Sequence, residues 1–374
     1  MNQIPLSVYL IGLLIVLLVG YKKAAKKTFH EDFLDYPVAK ALQGFAALAI
    51  ILHHVTQDVT QYGAHNKGFI GILNDTGVLF TGIFFFFSGY GLIISLLNKK
   101  DYMKGFLKKR LAAVLIPFYV CNLLFVGVSY ATGYKASSQE WLTYVSGGIL
   151  MNDQMWFIIE LAILYFAFFL IFKKGKAGTK QFLIMAIFIA ALTTFSLFLG
   201  HDNLQGTLGL WFHGEWWYNT TWLFFVGMLV AKHKDSIFAF AKKSYVWLLP
   251  VSIVVTVVLY FATMYMLGTM GYWKESATYP GYLEKFLTML VQCSFVIVFV
   301  LTFVLITMRV QFKNKVLSFM GTIALETYLI QNIFIVNFTN MKNDLLFFAA
   351  VYAGTIVAAV IVHAVNKKLI GWVK

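Results

Sequence analysis

An amide and two imidazoles, set about three helical turns apart in an apolar stretch, are the first groups in this sequence with chemistry to offer. The stretch runs from Lys40 through Gln43 and Gly44 to His53 and His54, with apolar residues between. On an α-helix, Gln43 and His54 fall on nearly one face, roughly 16 Å apart along the axis. His53 points about 80° away from Gln43, and Lys40 lies about 40° off the His54 direction. Polar groups in hydrocarbon are costly, and those that persist face a bundle interior or a water-filled cavity. A neutral imidazole so placed is a candidate general base. The competing reading is a histidine satisfied between helices.

Two acids, Glu160 and Glu326, are set most deeply in apolar runs. An intramembrane carboxylate implies a function and a partner, although for Glu326 a solvated helix end competes. Glu160 shares a helical face with Trp156, which suits either a sugar ring or a membrane interface. Ser88-Gly89-Tyr90 either lines a pocket or, as small residues among bulky aromatics, lets helices approach. His213-x-Glu215, next to Trp216, has no second metal-ligand motif beside it, so no metal is expected. There is no phosphate-cradling glycine loop and no Gly-x-Ser-x-Gly elbow.

The elements that must hold these residues are membrane-spanning helices. Of 374 residues, 60% are hydrophobic and 12% charged, with a mean hydropathy of +0.76. A soluble domain carries about 25% charged residues. Apolar segments run over 4–20, 41–59, 69–97, 111–132, 156–172, 182–199, 217–231, 245–267, 286–308, 317–338 and 345–365. The expectation is an all-α polytopic membrane protein of about eleven transmembrane helices. Cys121 and Cys293 both sit in apolar runs and suggest no disulfide framework.

The net charge of +14 would suit a nucleic-acid partner, but its distribution argues for a membrane. Alternate connections hold 25 of the 30 Lys and Arg residues, and the others hold only Lys67, Lys135, Lys274, Lys285 and Lys342. By the positive-inside rule the N-terminus lies outside and the C-terminus in the cytoplasm. The opening residues lack a basic n-region and no small-residue cleavage site follows, so the first segment reads as a reverse anchor. Residues 1–35 are then an anchor helix with a basic cytoplasmic linker, and 36–374 a membrane-embedded domain. The outward connections 134–155, 201–216 and 269–285 are long and aromatic, with Trp211, Trp216, Trp217 and Trp273 at interface depth.

The order of motifs resembles the acyltransferase-3 family of integral-membrane acyltransferases, from about residue 36 to about residue 335. The family's first helix carries L-R-G-x-A-x-L with a later histidine, and here Leu42-Gln43-Gly44-Phe45-Ala46-Ala47-Leu48 leads to His54. Its G-x-x-x-F-F-x-x-S-G-[FY] is similar to Gly82 through Ser88-Gly89-Tyr90. A basic cluster ahead of a proline and aromatic is matched by Lys108-Lys109-Arg110 and Pro117-Phe118-Tyr119. Trp156-Phe157 through Tyr165, Phe225-Val226-Gly227-Met228, and Gly321 through Glu326 and Tyr328-Leu329-Ile330 look like its later elements. Four features depart from the pattern. Gln43 replaces the usual arginine, Ala113 a frequent second basic residue, and Gln331 a histidine, and segment 4–20 is added to the family's ten helices.

The resemblance implies transfer of an acyl group, often acetyl, from cytoplasmic acyl-CoA to a hydroxyl of an extracytoplasmic glycan. No tightly bound cofactor is implied; acyl-CoA is a co-substrate. It makes His54 the catalytic base and Lys40, Gln43, Lys109 and Arg110 candidate donor-binding residues, with Lys40 supplying the charge missing at Gln43. Ser88, Tyr90, Trp156, Glu160, Glu326 and Tyr328 would line the pocket. Direct transfer and an acyl-enzyme on Ser88 or His54 stay open. Expected partners are acyl-CoA, the glycan, the bilayer and enzymes of envelope-polysaccharide synthesis, with no nucleic acid. The expected location is the cell membrane, most simply the bacterial cytoplasmic one. Two other readings compete: a polysaccharide exporter or flippase on the same fold, since a polar-lined bundle suits a path, and a sensor or scaffold.

Overall fold

Long apolar runs in a bilayer must satisfy every backbone polar group internally, and helices do so. The computed structural model describes residues 7–65, 68–198, 214–270 and 281–373. Their order is α1 (Ser7–Leu18), β1 (Lys22–Lys23), α2 (Tyr36–Thr60), a 3-10 stretch (Gly68–Asp75), α3 (Gly77–Asn98), α4 (Phe106–Ala131), α5 (Ser138–Ser146), α6 (Trp156–Phe172), α7 (Thr179–Ser196), α8 (Gly214–Lys232), α9 (Lys234–Thr269), α10 (Tyr282–Thr307), β2 (Val310–Gln311), α11 (Lys315–Thr322), α12 (Ala324–Phe338) and α13 (Asp344–Val373).

Each expected apolar segment with described residues is helical, so the chain is an all-α multi-pass membrane protein. Among the described residues eight helices are long and apolar enough to cross a bilayer, or nine if the broken pair α11–α12 is one span. The other two expected spans, α1 and α8, are described only in part. α1 is described over 12 residues, about 18 Å of helix against a hydrocarbon core of about 30 Å, and α8 with its side chains only over Thr220–Lys232. The segment 69–97 divides into the 3-10 stretch and α3. The segment 317–338 breaks after Thr322 with a bend of 79°.

The candidate site's helix is the centre of the bundle. In the most apolar 18-residue window of α2, 78% of residues are buried, against 6% for α9 at the periphery. α2 packs on α3, α11 and α12, and α12 packs in turn on α4 and α13. Pro37 in the first turn of α2 suits a helix start, where an N–H would have no partner.

Four motif glycines explain how the closest helix pairs form. A Cβ on Gly44 would overlap the Leu317 carbonyl, and one on Gly321 would overlap the Lys40 carbonyl, so α2 and α11 meet backbone to backbone. Gly89 meets the Phe224 carbonyl and Gly227 the Phe86 carbonyl in the same reciprocal way between α3 and α8. Small residues let membrane helices approach to this distance.

At one end of the bundle a clasp gathers the linker after α1. β1 pairs antiparallel with β2, and Ala24 and His30 donate backbone bonds to the Arg309 and Met308 carbonyls. Asp32 accepts from the Lys313 ammonium at 2.6 Å and from Gln311. Lys234 meets Asp35 at 3.7 Å and Lys242 meets Glu31 at 3.6 Å. The Lys313 ammonium beside Asp32 holds its carboxyl below the usual carboxylate range.

Candidate active site

The last turns of α2 carry both histidines against the 3-10 stretch. α2 stops at Gln61, whose left-handed φ of 48° closes the helix on the Asp58 and Gln57 carbonyls, and the chain then turns back along it. His53 is buried, with Nδ1 at 2.5 Å from the Leu73 carbonyl. Its ring fills the space that a Cβ on Gly77 would need. His54 is half-buried, its ring 4.6 Å from that of His53. Its Nδ1 lies 3.2 Å from Gln57 Oε1, and Gln57 Nε2 donates to the Asn74 carbonyl at 2.9 Å. One turn on, the Thr60 hydroxyl reaches Asn74 Oδ1 at 2.8 Å.

The other end of α2 holds the expected donor-binding residues, though not as one cluster. Lys40 donates from Nζ to the Gly321 carbonyl at 2.9 Å, at the C-terminal end of α11. Gln43 is half-buried one turn further along. On α4, Arg110 donates to the Tyr102 hydroxyl at 2.6 Å, and Lys109 is exposed. α12 packs against both α2 and α4. Its first turn carries Glu326, buried, which accepts from Asn366 Nδ2 at 3.2 Å and faces His363 Nδ1 at 3.1 Å.

Between the two ends lie the remaining predicted residues. Ser88 Oγ and the Tyr165 hydroxyl are 2.8 Å apart. Tyr90 is buried and stacks on Phe86 at 6.2 Å. Glu160 is fully buried; one oxygen accepts from the Thr221 hydroxyl. Trp156 is buried too, its ring against Phe85 and Phe157, so no face is open to a sugar in this conformation. The Tyr328 hydroxyl donates to the Gln154 carbonyl. His213 and the loop tryptophans Trp211 and Trp273 lie outside the described residues, as do the side chains of Glu215, Trp216 and Trp217.

Distances along the helices divide these groups into two levels. His53 against Gly77 puts the histidines level with the start of α3. Ser88 is eleven residues further along α3, about 16 Å away and close to the level of Gln43. A carbonyl within hydrogen-bond reach of His54 is therefore out of reach of Ser88. The upper level offers an imidazole among carbonyls and amides. The lower level offers hydroxyls and cations, suited to an anionic ligand.

Sequence reasoning missed the partners that make these groups a network: Gln57, Asn74, Tyr102, His363 and Asn366. Gln57 had a signal, since it sits three residues beyond His54, where helical side chains meet. Asn74 and Asn366 had none, because their neighbours are set by the fold. A comparison with models of protein families matches residues 33–364 to an acyltransferase domain. In the same comparisons no curated protein and no solved structure matches the chain.

Proposed function

The chain belongs to the acyltransferase-3 family and is a membrane acyltransferase, and from that premise we propose an O-acyltransferase that modifies a cell-envelope or exported polysaccharide. The donor is acyl-CoA, acetyl-CoA in the simplest case, arriving at the basic end, which is the cytoplasmic one. The acceptor hydroxyl arrives at the histidine end. As the hydroxyl oxygen attacks the thioester carbonyl, His54 takes its proton. The tetrahedral intermediate then expels the CoA thiolate, which recovers the proton from the imidazolium as free thiol. The products are the glycan ester and CoA.

The observation that carries this reading is the single helix α2, which bears Lys40 and Gln43 near one end and His54 near the other, on nearly one face. Such a helix gives a thioester arm a path from cations to a base. The test uses purified full-length protein in detergent with labelled acetyl-CoA. Wild type hydrolyses or transfers the acetyl group and His54→Ala does not, a loss of roughly 10²-fold or more. Unchanged turnover in His54→Ala removes His54 as the base. Glycan flux into vesicles without any acyl-CoA supports the exporter reading instead.

A further inference from the structure

The hydrogen bonds around His54 fix more than its position. Gln57 Nε2 lies 2.9 Å from the main-chain carbonyl of Asn74. A carbonyl only accepts, so the group facing it is the NH2 end of the amide, and the orientation of Gln57 is settled. Its Oε1, an acceptor only, is thereby the atom 3.2 Å from His54 Nδ1. For that contact to be a hydrogen bond, Nδ1 must carry the proton. In a neutral imidazole one nitrogen is then a donor and the other an acceptor, which leaves the lone pair on Nε2.

We propose that Gln57 is a positioning residue for acyl transfer: anchored on the Asn74 carbonyl, it holds His54 as the Nδ1–H tautomer with Nε2 free to take the acceptor proton. The proposal rests on the reading of His54 as the base. It assigns to a neutral amide the role that a carboxylate plays beside the histidine of a serine hydrolase, where the partner sets tautomer and ring orientation. An amide suits a site within the bilayer, since it orients the ring without placing a second charge in hydrocarbon. The anchor is independent of His54. The 3-10 stretch is also tied to α2 through His53 to the Leu73 carbonyl and Thr60 to Asn74 Oδ1, so the Asn74 carbonyl stays in place when the imidazole changes.

The experiment compares wild type, Gln57→Met, Gln57→Glu, Thr60→Val and His54→Ala as full-length protein in detergent. The readouts are kcat and KM for acetyl-CoA and the imidazole 15N resonances of His54, identified by their loss in His54→Ala. In wild type the spectrum shows Nδ1 protonated and Nε2 bare. Gln57→Met matches the length of the side chain but cannot orient the ring. Its kcat falls by about 10- to 100-fold, part of the roughly 10²–10⁴ that a positioned base contributes, while KM stays within about twofold. Gln57→Glu still accepts from Nδ1 but sets a carboxylate oxygen against the Asn74 carbonyl, so the anchor is lost and kcat falls to a value between wild type and Gln57→Met. Thr60→Val removes one tie to the same loop while the bond from His53 to the Leu73 carbonyl remains, so its kcat falls by no more than a few-fold, well short of the loss in Gln57→Met.

Three results overturn the proposal: a wild-type spectrum with the proton on Nε2, a wild-type kcat in Gln57→Met, or an equal loss in Thr60→Val, which would make the effect one of loop packing. Turnover that survives in His54→Ala defeats the base assignment itself, and that failure is distinct, because the nitrogen spectrum reports the tautomer without reference to activity.

Discussion

The ammonium of Lys40 lies on a main-chain oxygen, and that changes what the residue does. Placed on the Gly321 carbonyl at the end of α11, it supplies positive charge where a helix C-terminus is electronegative. To act on a donor phosphate in place of the arginine missing at position 43, it would have to leave that carbonyl. Lys40→Ala therefore acts first on stability, costing about 0.3–2 kcal/mol, read as a lower thermal midpoint in detergent. An unchanged midpoint would show that the contact contributes nothing. At Gln43 the expectation runs the other way. The side chain is half-buried with no hydrogen-bond partner among the described residues, so Gln43→Arg adds a cation to the level that carries Lys40. Acetyl-CoA then binds several-fold more tightly in a titration, and an unaltered Kd would remove position 43 from the donor site. Residue types were legible in the sequence, and so was the shared face of Gln43 and His54. Contacts with Gly321 and Asn74 were not, because they join positions 281 and 17 residues apart.

Helix pairing explains why the motif glycines sit where they do. Gly44 with Gly321, and Gly89 with Gly227, are two reciprocal contacts in which each residue leaves room for the other's backbone. This favours the packing reading of Gly89 within Ser88-Gly89-Tyr90, while Ser88 keeps a polar partner in Tyr165. Gly227→Ala forces its methyl into the Phe86 carbonyl and costs about 1–3 kcal/mol, as overpacking does. Thermal melts of the single and double variants with Gly89→Ala test this, and the two losses should not add, because both variants disturb one contact. The clasp behaves differently. Asp32 titrates below the usual carboxylate range because Lys313 stands beside it. Its contribution is complete above the unfolded value near 3.8 and is lost as pH falls through the lower folded value. Hydrogen exchange over residues 22–35 should accelerate in that acid window, and Asp32→Asn should show the faster exchange already at neutral pH. Helix existence was readable from apolar runs. The 79° break was not, since residues 317–338 read as one predominantly apolar segment with no proline inside it.

On the scale of the whole molecule, the distribution of charge predicts the orientation. The 25 Lys and Arg residues in alternate connections predict a cytoplasmic basic end, and the clasp that joins β1, β2 and the start of α9 collects at one end of the bundle. Both native cysteines are buried, so the protein is nearly silent to a membrane-impermeant thiol reagent. A cysteine at Lys135 should be labelled on intact cells, whereas one at Lys174 should react only after permeabilisation. The opposite pattern would invert the molecule and bring acyl-CoA to the wrong face. The multi-pass helical class was the most legible feature of all, because it depends on composition summed over many residues and not on any single contact.

The histidine end has one more property. What grips His53 directly, and His54 through Gln57, is main-chain oxygen contributed by Leu73 and Asn74. No point substitution deletes a peptide carbonyl. Alanine at its exposed positions would therefore spare the grip, while deleting a single residue would slide both oxygens out of register. The loop can vary its lettering where Ile70, Leu73 and Asn74 are not concerned, so long as it keeps its length.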